Sequence, residues 1–340
     1  MPTENLQQLN FNDEVTGLIY GYVFAPYKAP RRISSWEVIQ EFNRLAPESG
    51  FIWLHVNLNH ATAEKWLKRH FDLAEFFFEE IRQGSRSTRI ERQGTELFAV
   101  LNDVVFHPQS GDDEAATLWL YCRQQLVVTA RHKPVRLIEF LFRRLDELQP
   151  VSPTALLVQL LEEQEDVLEQ IVRQANQFVD AIEERLLSHH IKNNRTALGR
   201  LRRMLLRYQR LLAPEPAALF RLMSRPPSWL DNGVVQDLRH FAEEFTVVLN
   251  DLTGLTERIR LLQEEIAAKQ MEQNNRTLFQ LTVITVLALP INIVAGLFGM
   301  NVGGIPLAGS HHGFLLLVML ITVFTLIAAY WAFRRRGDGG

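Results

Sequence analysis

LFQLTVITVLALPINIVAGLFG, Leu278 to Gly299, contains no Asp, Glu, Lys or Arg. As a helix rising ~1.5 Å per residue it is ~33 Å long, enough for a hydrocarbon core of ~30 Å. GFLLLVMLITVFTLIAAYWAF, Gly313 to Phe333, is nearly as long and equally free of charge. The whole interval between Arg276 and Arg334 lacks these four residue types. A soluble core helix seldom runs so far without a charge, so two membrane spans outweigh a buried soluble hairpin. Between them, Gly303, Gly304, Pro306 and Gly309 are turn formers, which makes the pair a hairpin.

The flanks orient the hairpin. Lys269 and Arg276 precede the first span, Arg334, Arg335 and Arg336 follow the second, and the linker has no Lys or Arg. Positive residues stay inside, so both termini are expected in the cytosol and only the linker outside. Tyr330 and Trp331 suit the inner interface. The start of the chain lacks a basic-then-apolar leader pattern. The single cysteine, Cys122, cannot close an internal disulfide, which fits a reducing compartment for the large domain. A net charge of -3 gives no reason to expect nucleic acid as a partner.

The first span is the more polar, with Gln280, Thr282, Thr285, Asn292 and a mid-span Pro290. An asparagine in lipid needs a partner, either water or another helix. The second span is richer in Leu, Ile, Val and Phe, and its two threonines can bond back to their own helix. The first span therefore suits an aqueous path, with a helix–helix contact as the rival use of Asn292. Upstream, Phe241, Phe245, Val248, Leu252, Leu255, Ile259, Leu262 and Ile266 form a heptad seam. No proline falls between Ser228 and Leu289, so one helix from near Trp229 to about Met300 is expected, on the order of 100 Å long. Past Ile266 another face offers Asn275, Leu278, Thr285, Leu289 and Asn292 at helical spacing, the candidate pore lining. Leu278, Leu281 and Leu289 are candidate dry constrictions. Two spans cannot enclose water alone, so copies must assemble in a closed ring.

The first third alternates short apolar runs with helical stretches. Gly17–Phe24, Phe51–Leu58, Leu97–Phe106, Leu118–Tyr121 and Leu126–Ala130 read as strands, the last two as a hairpin. Ser35–Leu45 and Ala61–Gln83 read as helices, and everything from Pro134 onward is helical. The expected fold is an α/β head over 1–133, a helical region and stalk over 134–277, and two C-terminal transmembrane helices. These are 278–300 and 313–333, with an outer loop at 301–312 and a cytosolic tail at 334–340. The helix from Thr154 to His189 has an acidic face: Glu162, Glu163, Glu165, Asp166, Glu169, Asp180, Glu183 and Glu184. It is either a solvated surface or a concentrator of divalent ions. Arg200, Arg202, Arg203, Arg207 and Arg210 make a basic cluster, read as a solvated or inter-helix face. No phosphate loop or catalytic constellation is present, so an enzyme is not expected. His189-His190 and His311-His312 are adjacent pairs, and adjacent residues diverge around a helix. The outer pair, His311 and His312, is a candidate recruiter of a transition metal, since imidazole suits zinc better than magnesium.

Gly299-Met300-Asn301, at the outer end of the first of two C-terminal spans, resembles the signature of the CorA metal-ion transporter superfamily. Val302-Gly303-Gly304-Ile305-Pro306 is similar to its ZntB zinc-transporter branch; the magnesium branch usually carries an acid in this loop, and none is present here. Trp53-Leu54-His55-Val56-Asn57, Ser87-Thr88-Arg89 and the strand from Leu126 to Arg131 extend the likeness into the head, although Ile90 stands where the branch has proline. The resemblance implies a funnel-shaped homopentamer in a bacterial inner membrane, with a pore lined by the first span. It implies that Gly299, Met300 and Asn301 form the selectivity filter, Asn301 holding a hydrated ion. The cargo it implies is Zn2+, with Mg2+, Co2+, Ni2+ and Cd2+ as alternatives and protons as an open question; no covalently bound cofactor is expected. From another class, the alternative is a membrane-anchored metal sensor or scaffold, which the polar first span argues against.

Overall fold

The structure is a computed structural model and describes residues 16–26, 28–46, 49–84, 87–104, 115–148, 150, 152–187, 194–300 and 311–337. The chain divides into two compact units, Met1–Gln263 and Glu264–Gly340.

The first unit holds a seven-stranded sheet. Its strands are β1 (Leu18–Phe24), β2 (Arg31–Arg32), β3 (Phe51–Asn57), β4 (Arg89–Gln93), β5 (Glu96–Asp103), β6 (Ala116–Arg123) and β7 (Leu126–Arg131). The order across the sheet is β2-β1-β3-β7-β6-β5-β4, and only the β3–β7 pair is parallel. The central strands are buried on both faces, which is why they read as unbroken apolar runs instead of alternating ones. The β6–β7 turn, Gln124-Gln125, has no glycine. Gln125 holds it by donating to the Leu45 carbonyl (2.9 Å) and accepting from the Ile52 N–H (2.9 Å). The two strands missed by the sequence reading are β2 and β4. Both lie at sheet edges and consist mostly of exposed, charged residues, so neither offers the apolar run that marks a strand.

Helices α1 (Ser35–Arg44), α2 (Ala63–Phe71) and α3 (Glu75–Gln83) belong to the head. Ser34 and Glu37 form a capping box that starts α1. The single helix expected over Ala61–Gln83 is in fact two. Asp72 takes a left-handed backbone, φ 46°, and ends α2. The break lets Trp66, Leu67 and Phe71 of α2 and Phe77, Phe78 and Ile81 of α3 join one core with Leu54, Val56, Phe98, Val100, Tyr121 and Val128 of the sheet.

Helices α4 (Arg136–Leu148), α5 (Pro153–Leu187), α6 (Asn194–Leu212) and α7 (Pro214–Ser224) follow. The long helix α8 then runs without interruption from Asn232 to Phe298, and α9 covers Gly313–Gly337. Asp231 opens α8 by accepting from the Gly233 N–H (3.1 Å). All eight seam residues from Phe241 to Ile266 are buried. From Met271 to Gln280 every residue is exposed. The change from a covered helix to a bare one falls where the seam meets Lys269, Gln273 and Arg276.

Candidate functional site

Two helices are long and apolar enough to cross a membrane, the C-terminal part of α8 and α9. None of the most apolar window of α8 is buried, unlike the core helix of a soluble protein. Each span has one partly covered stripe. On α8 it is Val283, Leu287, Pro290 and Val294, with Ala288 half-buried outside it; on α9 it is Leu317, Ile321, Thr325, Ala328 and Ala329. Spacing of three and four is what side-by-side helices produce. Asn275, Leu278, Leu281, Thr285, Leu289 and Asn292 are all exposed. At ~100° per residue this set centres roughly 160° from the covered stripe of α8. Gly299 and Met300 are exposed at its outer end. Asn301, Gly303, Gly304 and Pro306 lie outside the described residues, as do His189 and His190.

The polarity of the first span is narrower than its composition implies. Thr282 Oγ1 donates to the Leu278 carbonyl (2.8 Å) and Thr285 Oγ1 to the Leu281 carbonyl (2.9 Å). Thr322 and Thr325 of the second span do the same toward Val318 (2.8 Å) and Ile321 (2.7 Å). Threonine therefore does not distinguish the spans; Gln280 and Asn292 do. Pro290 sits inside the helix and has no N–H, so it leaves the Val286 carbonyl without its usual donor. In lipid such a group needs another partner.

His311 and His312 are exposed, with ring centroids 5.8 Å apart and planes at 70°. The His312 carbonyl accepts from the Leu316 N–H (3.0 Å) at the start of α9. Among the described residues no group of three or more His, Cys, Asp or Glu is arranged to hold a metal ion.

In the head, the acidic face of α5 is divided. Arg258 of α8 bonds Glu183 (2.5 and 2.9 Å) and Asp180 (2.7 Å), Arg144 pairs with Glu163, and Arg173 pairs with Glu169 (3.0 Å). Glu162 and Glu165 instead meet acids of α8. Burial, then Glu244, pushes the Glu165 carboxyl up to about 7; burial, then Asp237, raises Glu162. Sequence reading missed Asp237 and Glu244, although their spacing of seven places them on one side of α8. In the basic cluster, Arg200, Arg203 and Arg210 are exposed. Arg260, and more weakly Arg202, hold Glu257 below the usual carboxylate range.

The head motifs are structural. Trp53 Nε1 donates to Thr129 Oγ1 (2.9 Å), which lies 2.9 Å from His55 Nδ1, and Arg131 Nε donates to His55 Nε2 (3.2 Å). Burial, then Arg131, lowers the His55 pKa to about 3, so the ring is a neutral link between β3 and β7. Thr88 accepts from Asn102 Nδ2 (3.0 Å), and Arg89 pairs with Glu80 (2.8 Å).

A sheet-containing head, a long helix and two helices long and apolar enough to cross a membrane are the build of a membrane protein with a large soluble domain. The chain matches the family described as CorA-like Mg2+ transporter protein over residues 48–335, and it belongs to that family. It is a transporter of divalent cations, not an enzyme. It is 28% identical to the divalent cation transporter CmaX of Pseudomonas aeruginosa, over 97% of this chain and 99% of that one. It is 25% identical to the zinc transport protein ZntB of Yersinia pseudotuberculosis, over 84% and 87% of the two chains. The solved structure of full-length CmaX superposes with a TM-score of 0.77 at 27% identity, covering 94% of this chain and 98% of that one.

Proposed function

We propose that the chain carries Zn2+ across a bacterial inner membrane through a homopentameric, funnel-shaped assembly, with both termini cytosolic. The first span lines the pore, the second shields it from lipid, and a ring of Asn301 side chains at the outer mouth holds the partly hydrated ion. The observation that carries this reading is the exposed face from Asn275 to Asn292, set opposite the half-buried stripe of the same helix. A face so placed is free for other copies, and a ring of copies turns it toward a shared axis.

The span has no fixed charge, so amide and carbonyl oxygens must select the ion. Rings of Leu278, Leu281 and Leu289 supply dry constrictions that open by wetting. Zinc is preferred because the loop after Asn301 has no acid, and the likeness to ZntB supports it. His311 and His312 from several copies would gather imidazoles at the mouth, which one chain cannot do. The second reading is a Mg2+, Co2+ or Ni2+ channel, favoured by the magnesium in the family's description.

The test is metal flux into proteoliposomes by Asn301→Ala and Asn301→Asp. Both variants should assemble normally. Asn301→Ala should lose at least ~10-fold in flux, about 1.4 kcal/mol of lost ion stabilisation, and Asn301→Asp should change the ranking of Zn2+ and Mg2+. Wild-type flux and ranking in both would remove Asn301 from the filter.

A further inference from the structure

Glu215, in the first turn of α7, is the most fully enclosed carboxyl of the head, with no exposed surface. Gln164 of α5, itself 1% exposed, donates from Nε2 to Glu215 Oε2 (3.0 Å). The same Nε2 donates to the backbone carbonyl of Asn102 on β5 (3.1 Å). Both amide hydrogens of Gln164 are thereby used. Two oxygens remain buried without a donor, Glu215 Oε1 and Gln164 Oε1. Two orphan acceptors on two side chains already joined by one hydrogen bond are satisfied together by a single shared proton. An ionised carboxylate here would have one hydrogen bond and no cation, at high desolvation cost.

The usual remedy at a helix start is missing. Prolines occupy positions 214 and 216, so the N–H groups that favour an anion in a first turn are absent on both sides of Glu215. Charged groups do occur on the elements around it: Asp103 on β5, Arg89 and Arg92 on β4, Glu163 and Glu165 on α5, Arg207 and Arg210 on α6. Burial dominates at Glu215, and the Gln164 hydrogen bond opposes it.

The geometry points to Glu215 as a proton-binding site: it is a neutral acid whose Oε1–H donates to Gln164 Oε1 while Gln164 Nε2 donates back to Oε2. One proton then closes an acid–amide pair that clips α7 to α5 and, through the Asn102 carbonyl, to the sheet. Burial pushes the carboxyl up to about 8, against 4.5 for a free one. The folded head thus holds a proton that the unfolded chain releases. The stability this confers is complete below pH ~4.5, declines as pH rises, and is lost above about 8. Proton release on the cytosolic side loosens the joint between α5, α7 and β5.

Glu215→Gln is the informative variant, because an amide N–H replaces the acid O–H and preserves the paired pattern without a titrating group. Full-length protein in detergent would be melted from pH 5 to pH 9. The wild-type midpoint should fall by at least ~5 °C relative to the variant across that range. At pH 6 the infrared carbonyl absorption of protonated carboxyls should be lower in Glu215→Gln than in the wild type by the share of one carboxyl, the part that remains including Glu165. Parallel melting curves, or a wild-type spectrum with no carboxylic-acid band that the substitution removes, would overturn the assignment, even if metal transport were entirely normal.

Discussion

Asp72 shows how one residue decides a local path that periodicity cannot reveal. The apolar spacing from Ala63 to Ile81 suits a single helix, yet the backbone at Asp72 is left-handed (φ 46°) and two helices result. Asp tolerates that region better than branched residues do. Asp72→Gly should leave stability within ~0.5 kcal/mol of wild type, and Asp72→Val should cost ~1–2 kcal/mol. Denaturant unfolding of the two variants checks this; equal stability would mean that the turn carries no strain. Residue chemistry also trims the site. Thr282 and Thr285 were legible as polar, but their hydroxyls return to the helix backbone, leaving Gln280 and Asn292 as the side chains that still need a partner. His55 lies in the motif that carries the head's likeness to transporters, and its surroundings make it a neutral structural link.

At the scale of elements, α8 was the most legible part of the chain. The heptad seam, the absence of proline before Pro290 and the uncharged end all write themselves into residue types, and the observed helix, Asn232–Phe298, follows them. Edge strands β2 and β4 were illegible because their pairing is through backbone groups, while their side chains are exposed and charged. The acidic face was half legible: Glu162 and Glu165 stand out in α5, but their α8 neighbours Asp237 and Glu244 become relevant only once the helices are packed.

Two predictions belong here. Cysteines placed at positions 285, 289 and 292 should react with a water-soluble thiol reagent at least ~10-fold faster than cysteines at 283, 287 and 294. The native thiol, Cys122, is buried and its pKa is raised by that burial, so it adds little background. Equal rates on the two faces would contradict a water-lined path. The second concerns pH. Glu165, raised by burial and then by Glu244, binds its proton more tightly folded than unfolded. Its contribution to stability is full below pH ~4.5 and disappears as pH rises through about 7. Glu244→Gln should flatten the decline of the unfolding midpoint between pH 5 and pH 7.5, as read by thermal scans at low salt; an unchanged slope would show that the two acids do not interact.

For the whole molecule, the composition is that of two materials. A charged, mixed head with a buried sheet is joined to a hairpin that leaves nearly all of its apolar surface uncovered. In the proposed assembly lipid covers part of that surface and further copies of the chain the rest, because a two-helix hairpin has no interior to offer an ion. The charge-free window between Arg276 and Arg334 marks the two spans in the sequence, while the compact units divide earlier, between Gln263 and Glu264. The proposed pore face was readable only as a spacing; the half-buried residues Val283, Leu287, Pro290 and Val294 lie on the other side of the same helix.

The most direct measurement is metal-resolved flux by the purified chain in proteoliposomes, with and without a pH gradient. Zn2+ entry well above that of protein-free vesicles, and above Mg2+ under matched gradients, is the predicted result. An intact assembly that passes no divalent cation under any gradient would contradict the account.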